Sequence, residues 1–207
     1  MNLSHDLETI LKNNPKQSSA THLFIEKVRP YISNESLPFF PEYTQHSIQH
    51  NLEILQTCHE LVTKASLEKL SPSDVSALTL AVFLHDIAMH LTEDGFLSLI
   101  DPNQTKWNPI AAFHDKPWHI AWFDYLSEAK RWDDRKLISV FGEPEPIKEP
   151  PSKTIDFTLR DKLLIGEFIR RNHGRLAHQI ALSGIPGAGG NNINLFNDFD
   201  SDYSTEQ

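Results

Sequence analysis

The chain has 207 residues, 39% of them hydrophobic, and a formal net charge of −9. That length suits one domain with a substantial core. The acidic balance argues against a surface that coats DNA or RNA, and no apolar run approaches the ~20 residues that span a bilayer. Cys58 is the single cysteine. An intrachain disulfide and a cysteine-based zinc cluster are therefore excluded, and a cytoplasmic location is the default expectation. The first residues lack a basic stretch followed by an apolar one, so no signal peptide is expected.

Taken in order, most of the chain reads as helix. Leu3, Leu7, Ile10 and Leu11 have helical spacing, closed by Asn13-Asn14-Pro15. Leu23, Phe24 and Val28 predict a second helix that stops before Pro30. Residues 36–41 form a proline-stiffened lead-in. A third helix is predicted from near Tyr43 to about Lys64, with Ile48, Leu52, Leu55, His59 and Val62 on one face. Ser71-Pro72-Ser73-Asp74 is a helix start, with Ser71 as N-cap and Asp74 closing a capping box. The helix that follows, from Val75 to Met89, is apolar over most of its surface and is expected to be central and buried.

Residues 102–117 read as irregular, and residues 120–130 as an aromatic-rich amphipathic helix. Residues 141–153 hold four of the thirteen prolines and read as a loop. Residues 157–182 regain helical periodicity through Leu163, Leu164, Phe168 and Ile169, with a possible break at Gly174. No segment alternates as a strand, so the fold class is all-α. Residues 184–192 form a glycine-rich loop, and an acidic polar stretch follows. A globular domain rarely ends on such a loop, so either final helices are expected to be missing or the stretch is a tail.

The most informative pair is His85-Asp86, set in the run Ala81-Val82-Phe83-Leu84-His85-Asp86-Ile87-Ala88. A carboxylate in an apolar stretch needs a partner, and a divalent cation is a good one. The competing reading is a core histidine hydrogen-bonded to an aspartate. His46 and His50 stand four apart upstream, and Asp86 and His90 share that spacing on the central helix. Downstream, Arg170-Arg171-Asn172-His173-Gly174-Arg175 adds imidazole and guanidinium. His114 and His119, beside Trp118 and Trp122, either line a pocket or belong to packing.

These residues resemble the HD-domain superfamily of metal-dependent phosphohydrolases. His50, in Ile48-Gln49-His50-Asn51-Leu52, matches the first metal ligand of that family, and His85 and Asp86 match its doublet. The 170–175 motif is similar to one in a divergent subgroup found beside chaperone- or histidine-kinase-type ATPase domains. The resemblance spans about residues 42–181. It implies an HD-like helical bundle over residues 42–183, after a helical extension at 1–41 and before a tail or incomplete C-terminal part at 184–207. No residue after His178 matches the late aspartate of the family; Asp198, Asp200 and Asp202 are the available carboxylates.

The resemblance implies hydrolysis of a nucleotide or other phosphoester by metal-activated water. His50, His85 and Asp86 would hold a divalent ion: Mn, Fe, Co, Ni, Zn or Mg. Asp86, His173 and Arg170 would serve catalysis. Arg171, Arg175 and His46 would contact substrate. A small phosphorylated molecule is the expected ligand, and an ATPase domain a possible partner. The alternative is a catalytically incomplete module of the same fold that senses a nucleotide or metal and signals to that ATPase.

Overall fold

A computed structural model of the chain describes residues 3–33, 37–43, 47–104 and 116–187. The fold is all-α. Among the described residues there are nine α-helices and no strand. They are α1 (His5–Lys12), α2 (Pro15–Ile32), α3 (Ile48–Leu61), α4 (Lys64–Leu67), α5 (Pro72–Leu84), α6 (Glu93–Ile100), α7 (Trp118–Ala129), α8 (Asp134–Phe141) and α9 (Leu159–Ser183). They divide between two compact units, one within Met1–Glu35 and Thr44–Ile87, the other within Ser36–Tyr43 and Ala88–Asn194. Among the described residues no single helix is long and apolar enough to cross a membrane.

In the first unit α5 is the hub against which α1, α2 and α3 pack. Its start is the expected one: the Ser71 hydroxyl accepts from the Asp74 amide, and the Asp74 carboxylate accepts from the Ser71 amide. Val75, Thr79, Val82 and Phe83 are buried, and they meet Leu7 and Leu11 of α1 and Phe24, Ile25 and Val28 of α2 as the core of the unit. Each such large apolar side chain contributes about 1.5–3 kcal/mol relative to exposure. Burial is one-sided, however: Ala77 and Ala81 are exposed.

Two boundaries correct the expectation. First, α2 does not stop before Pro30 but runs through it to Ile32. Pro30 removes one amide donor near the exposed helix end, whereas Val28 and Ile32 continue the buried stripe across it. Second, α5 ends at Leu84 instead of Met89, and a separate 3-10 turn covers Ile87–His90. The His85 Nδ1–H donates to the Val82 carbonyl at 2.6 Å. A continuing helix would use that carbonyl for the Asp86 amide, so the side chain competes with the next helical bond. The helical spacing expected between Asp86 and His90 is lost with it.

The second unit is built on aromatic packing. Phe96 of α6 meets Trp122 of α7 edge-on at 5.0 Å, and Trp122 meets Phe168 of α9 at 5.1 Å. Trp118 is buried against Phe168. Trp118 and Trp122 thus serve the core. The Tyr125 hydroxyl donates to the Leu164 carbonyl at 3.0 Å, and burial pushes that phenol well above its usual pKa. Gly166 brings the 37–43 segment onto α9, because a Cβ there would strike the Phe39 carbonyl. A Cβ at Gly95 would likewise strike the Pro186 carbonyl. The first residues after α9 are therefore packed rather than loose: Ile185 is buried. α9 passes Gly174 without a break, since buried Phe168, Ile169, Leu176 and Ala177 on either side hold it as one helix.

Candidate metal centre

α5 stops where it does because of His85, and that stop builds the site. A helix end leaves its last carbonyls without intrahelical donors. Val82 supplies one of these to the His85 Nδ1–H. With Nδ1–H so engaged, Nε2 is the ring nitrogen that would be available to a cation. Nε2 lies 2.8 Å from Asp86 Oδ2. The His85 pKa is raised by its hydrogen bond to Asp86, with partial burial opposing and the Val82 carbonyl assisting.

His50 comes from the first turn of α3, where buried Asn51 and Leu55 anchor the helix on α5. Its ring lies 6.0 Å from that of His85, tilted by 37°. One ligand atom from each of His50, His85 and Asp86 lies within 4.8 Å of the other two. Donors bound at ~2.0–2.2 Å to one ion stand roughly 3.0–3.5 Å from their neighbours. The 2.8 Å pair is slightly closer than that spacing, and the His50 ligand atom lies within 4.8 Å of both. Two imidazoles and a carboxylate are the donor set of a borderline divalent ion. The C-terminal end of α5 adds a favourable partial negative charge. The residues present therefore fit such an ion.

One feature departs from expectation. The doublet is not buried in the middle of a helix: the His85 side chain is 38% exposed and that of Asp86 20%. The pair is both hydrogen-bonded within itself and open to a ligand. Elsewhere in this unit, His59 Nε2 is 3.1 Å from Asp6 of α1, and His22 Nδ1 is 2.7 Å from the Ser18 carbonyl. These are helix-to-helix and intrahelical contacts rather than ligands. His46, His114, Asp198, Asp200 and Asp202 lie outside the described residues.

The remaining candidates lie on α9 in the second unit. Arg170 grips the Glu167 carboxylate with Nε and a terminal nitrogen at 2.8 and 3.0 Å. Arg171 reaches Glu167 at 3.2 Å and Glu128 of α7 at 2.7 Å, and lies over the rings of Tyr125 and Trp132. Arg175 covers the Trp118 ring at 4.0 Å and donates to the Lys116 carbonyl. His173 is exposed, with Nδ1 2.8 Å from the Arg170 carbonyl. Glu167 was not among the expected site residues, although its spacing of three and four from Arg170 and Arg171 is the signal for such pairs. Burial works to raise its pKa, but Arg170 and Lys136 outweigh this and hold it at about 2.

The chain matches the family model HD-CE over residues 40–203, a stretch that includes His50, the His85–Asp86 doublet and all of α9. Comparison with curated proteins and with solved structures gave no match. The chain belongs to the HD-CE family, an HD-domain-related family.

Proposed function

We propose that this chain is a metal-dependent phosphohydrolase module that cleaves a nucleotide or another small phosphoester. The observation that carries the proposal is the approach of His50, from α3, to His85 and Asp86, just past the end of α5, with ligand atoms within 4.8 Å of one another. These three residues would hold a divalent ion. When bound, such an ion lowers the pKa of its water and polarises a phosphoryl oxygen. The Val82 carbonyl orients the His85 ring through Nδ1 and makes Nε2 a better donor. His46 is assigned to substrate.

A second reading is favoured by one observation. Arg170 and Arg171 are already ion-paired to Glu167, and Arg171 also to Glu128. In that reading the module holds a metal or nucleotide without turnover and signals to an ATPase domain.

Elemental analysis of the purified chain tests the proposal, with Asp86→Ala beside the wild type. About one or two transition-metal ions per wild-type chain, lost in the variant, is the expected result. A screen of phosphoesters, with and without a chelator, then separates the two readings: chelator-sensitive phosphate release supports the enzyme, and metal binding without release supports the sensor. Absence of metal from both proteins would overturn the proposal.

A further inference from the structure

A pocket of about 310 Å³ opens in the second unit between residues 39–43, α8 and the middle of α9. None of His50, His85 and Asp86 lines it. Its volume is that of a small-molecule site and too large for a bare oxyanion. Gly166 is one lining residue, and Phe40, Val140 and Leu163 supply apolar walls. Tyr43 is 50% exposed and meets Phe40 edge-on at 5.1 Å, which leaves an aromatic surface on the pocket.

Lys136 and Arg170 also line this pocket. Both contact Glu167, yet their side chains remain 37% and 50% exposed. A lysine has three N–H donors and an arginine five, so both keep donors beyond those that Glu167 accepts. The Glu167 carboxylate is itself only 10% exposed and is matched by Lys136, Arg170 and Arg171. An entering anion therefore meets the cations before the carboxylate. Exposed Glu42 is the remaining charge on the lining, and it disfavours a highly charged ligand.

We infer that this pocket binds a small organic anion that joins an aromatic ring to a phosphate or carboxylate. The anionic group would pair with Lys136 and Arg170, and the ring would lie against Phe40 and Tyr43. The inference goes beyond the metal reading and uses no residue of the metal cluster.

Calorimetric titration of the full chain with phenyl phosphate, benzoate and inorganic phosphate tests it. Phenyl phosphate is expected to bind at least about tenfold more tightly than inorganic phosphate, because only the former covers the aromatic wall. Lys136→Met and the pocket-filling Val140→Trp should each weaken it about tenfold, with thermal melts confirming that each variant is folded. A preference for phenyl phosphate over benzoate assigns a phosphate ligand, and the reverse a carboxylate; either supports the inference. The titrations are made with a chelator present, so ligand held through a metal at the His50–His85–Asp86 cluster does not contribute and the two readings fail separately. Binding of phenyl phosphate and benzoate that is absent for both, no tighter for either than that of inorganic phosphate, or unchanged in both pocket variants would overturn the inference.

Discussion

His85 joins two roles through its two ring nitrogens. Nδ1 ends α5 by taking the Val82 carbonyl, and Nε2 faces Asp86. Because the side chain is 38% exposed, it contributes little apolar burial. His85→Ala is therefore expected to lose bound metal while changing stability by less than about 1 kcal/mol. Metal analysis and urea unfolding of the same preparation check this; a large stability loss would mean that the residue is structural. The pair was legible in the sequence as a candidate, since an imidazole beside a carboxylate has few uses in an apolar run. Their exposure was not. It depends on where α5 stops, and that is decided by a side-chain hydrogen bond that no periodicity encodes.

Two glycines of α9 separate packing from propensity. At Gly166 a Cβ would strike the Phe39 carbonyl, whereas at Gly174 it would meet nothing within 4 Å. Gly166→Ala is expected to destabilise by about 1–3 kcal/mol. Gly174→Ala, an alanine in an open helix interior, should stabilise by about 0.4–1 kcal/mol. Urea midpoints of the two variants should move in opposite directions; a shift of the same sign would contradict the packing of 37–43 on α9. Helix starts were largely readable, as the Ser71–Asp74 box shows, and Ser71→Ala should cost about 1 kcal/mol by the same measurement. α6 and α8 were not foreseen. Each is eight residues long, and Thr92 and Asp133 cap them by accepting the Gly95 and Lys136 amides. The expected break at Gly174 failed: a glycine weakens a helix locally, and buried neighbours on both sides restored it.

For the molecule as a whole, acid stability turns on Glu167, which ties α8 to α9 through Lys136 and holds Arg170 and Arg171. Its carboxyl is held at about 2 in the folded chain against an ordinary 4.5. The folded value is depressed, so the stabilisation is full above about pH 4.5 and is lost as pH falls toward 2. It amounts to at most about 3 kcal/mol. Glu167→Gln should be less stable than the wild type at pH 7, and the gap should close near pH 2.5 in denaturant titrations. The general charging of an acidic chain affects both proteins alike, so the difference isolates this carboxylate. A gap independent of pH would show that the residue acts through packing alone.

By itself the sequence determined the all-α class, the helix periodicities, the α5 capping box and the candidacy of His50, His85 and Asp86. All of these follow from local spacing and from the chemistry of single side chains. Only the tertiary structure decided that α2 runs through Pro30, that α5 ends before the doublet, and that Arg170 and Arg171 are committed to Glu167. It also decided that the 37–43 segment lies against Gly166. Those outcomes depend on which groups meet across helices. There, buried area and competition for hydrogen bonds outweigh local propensity.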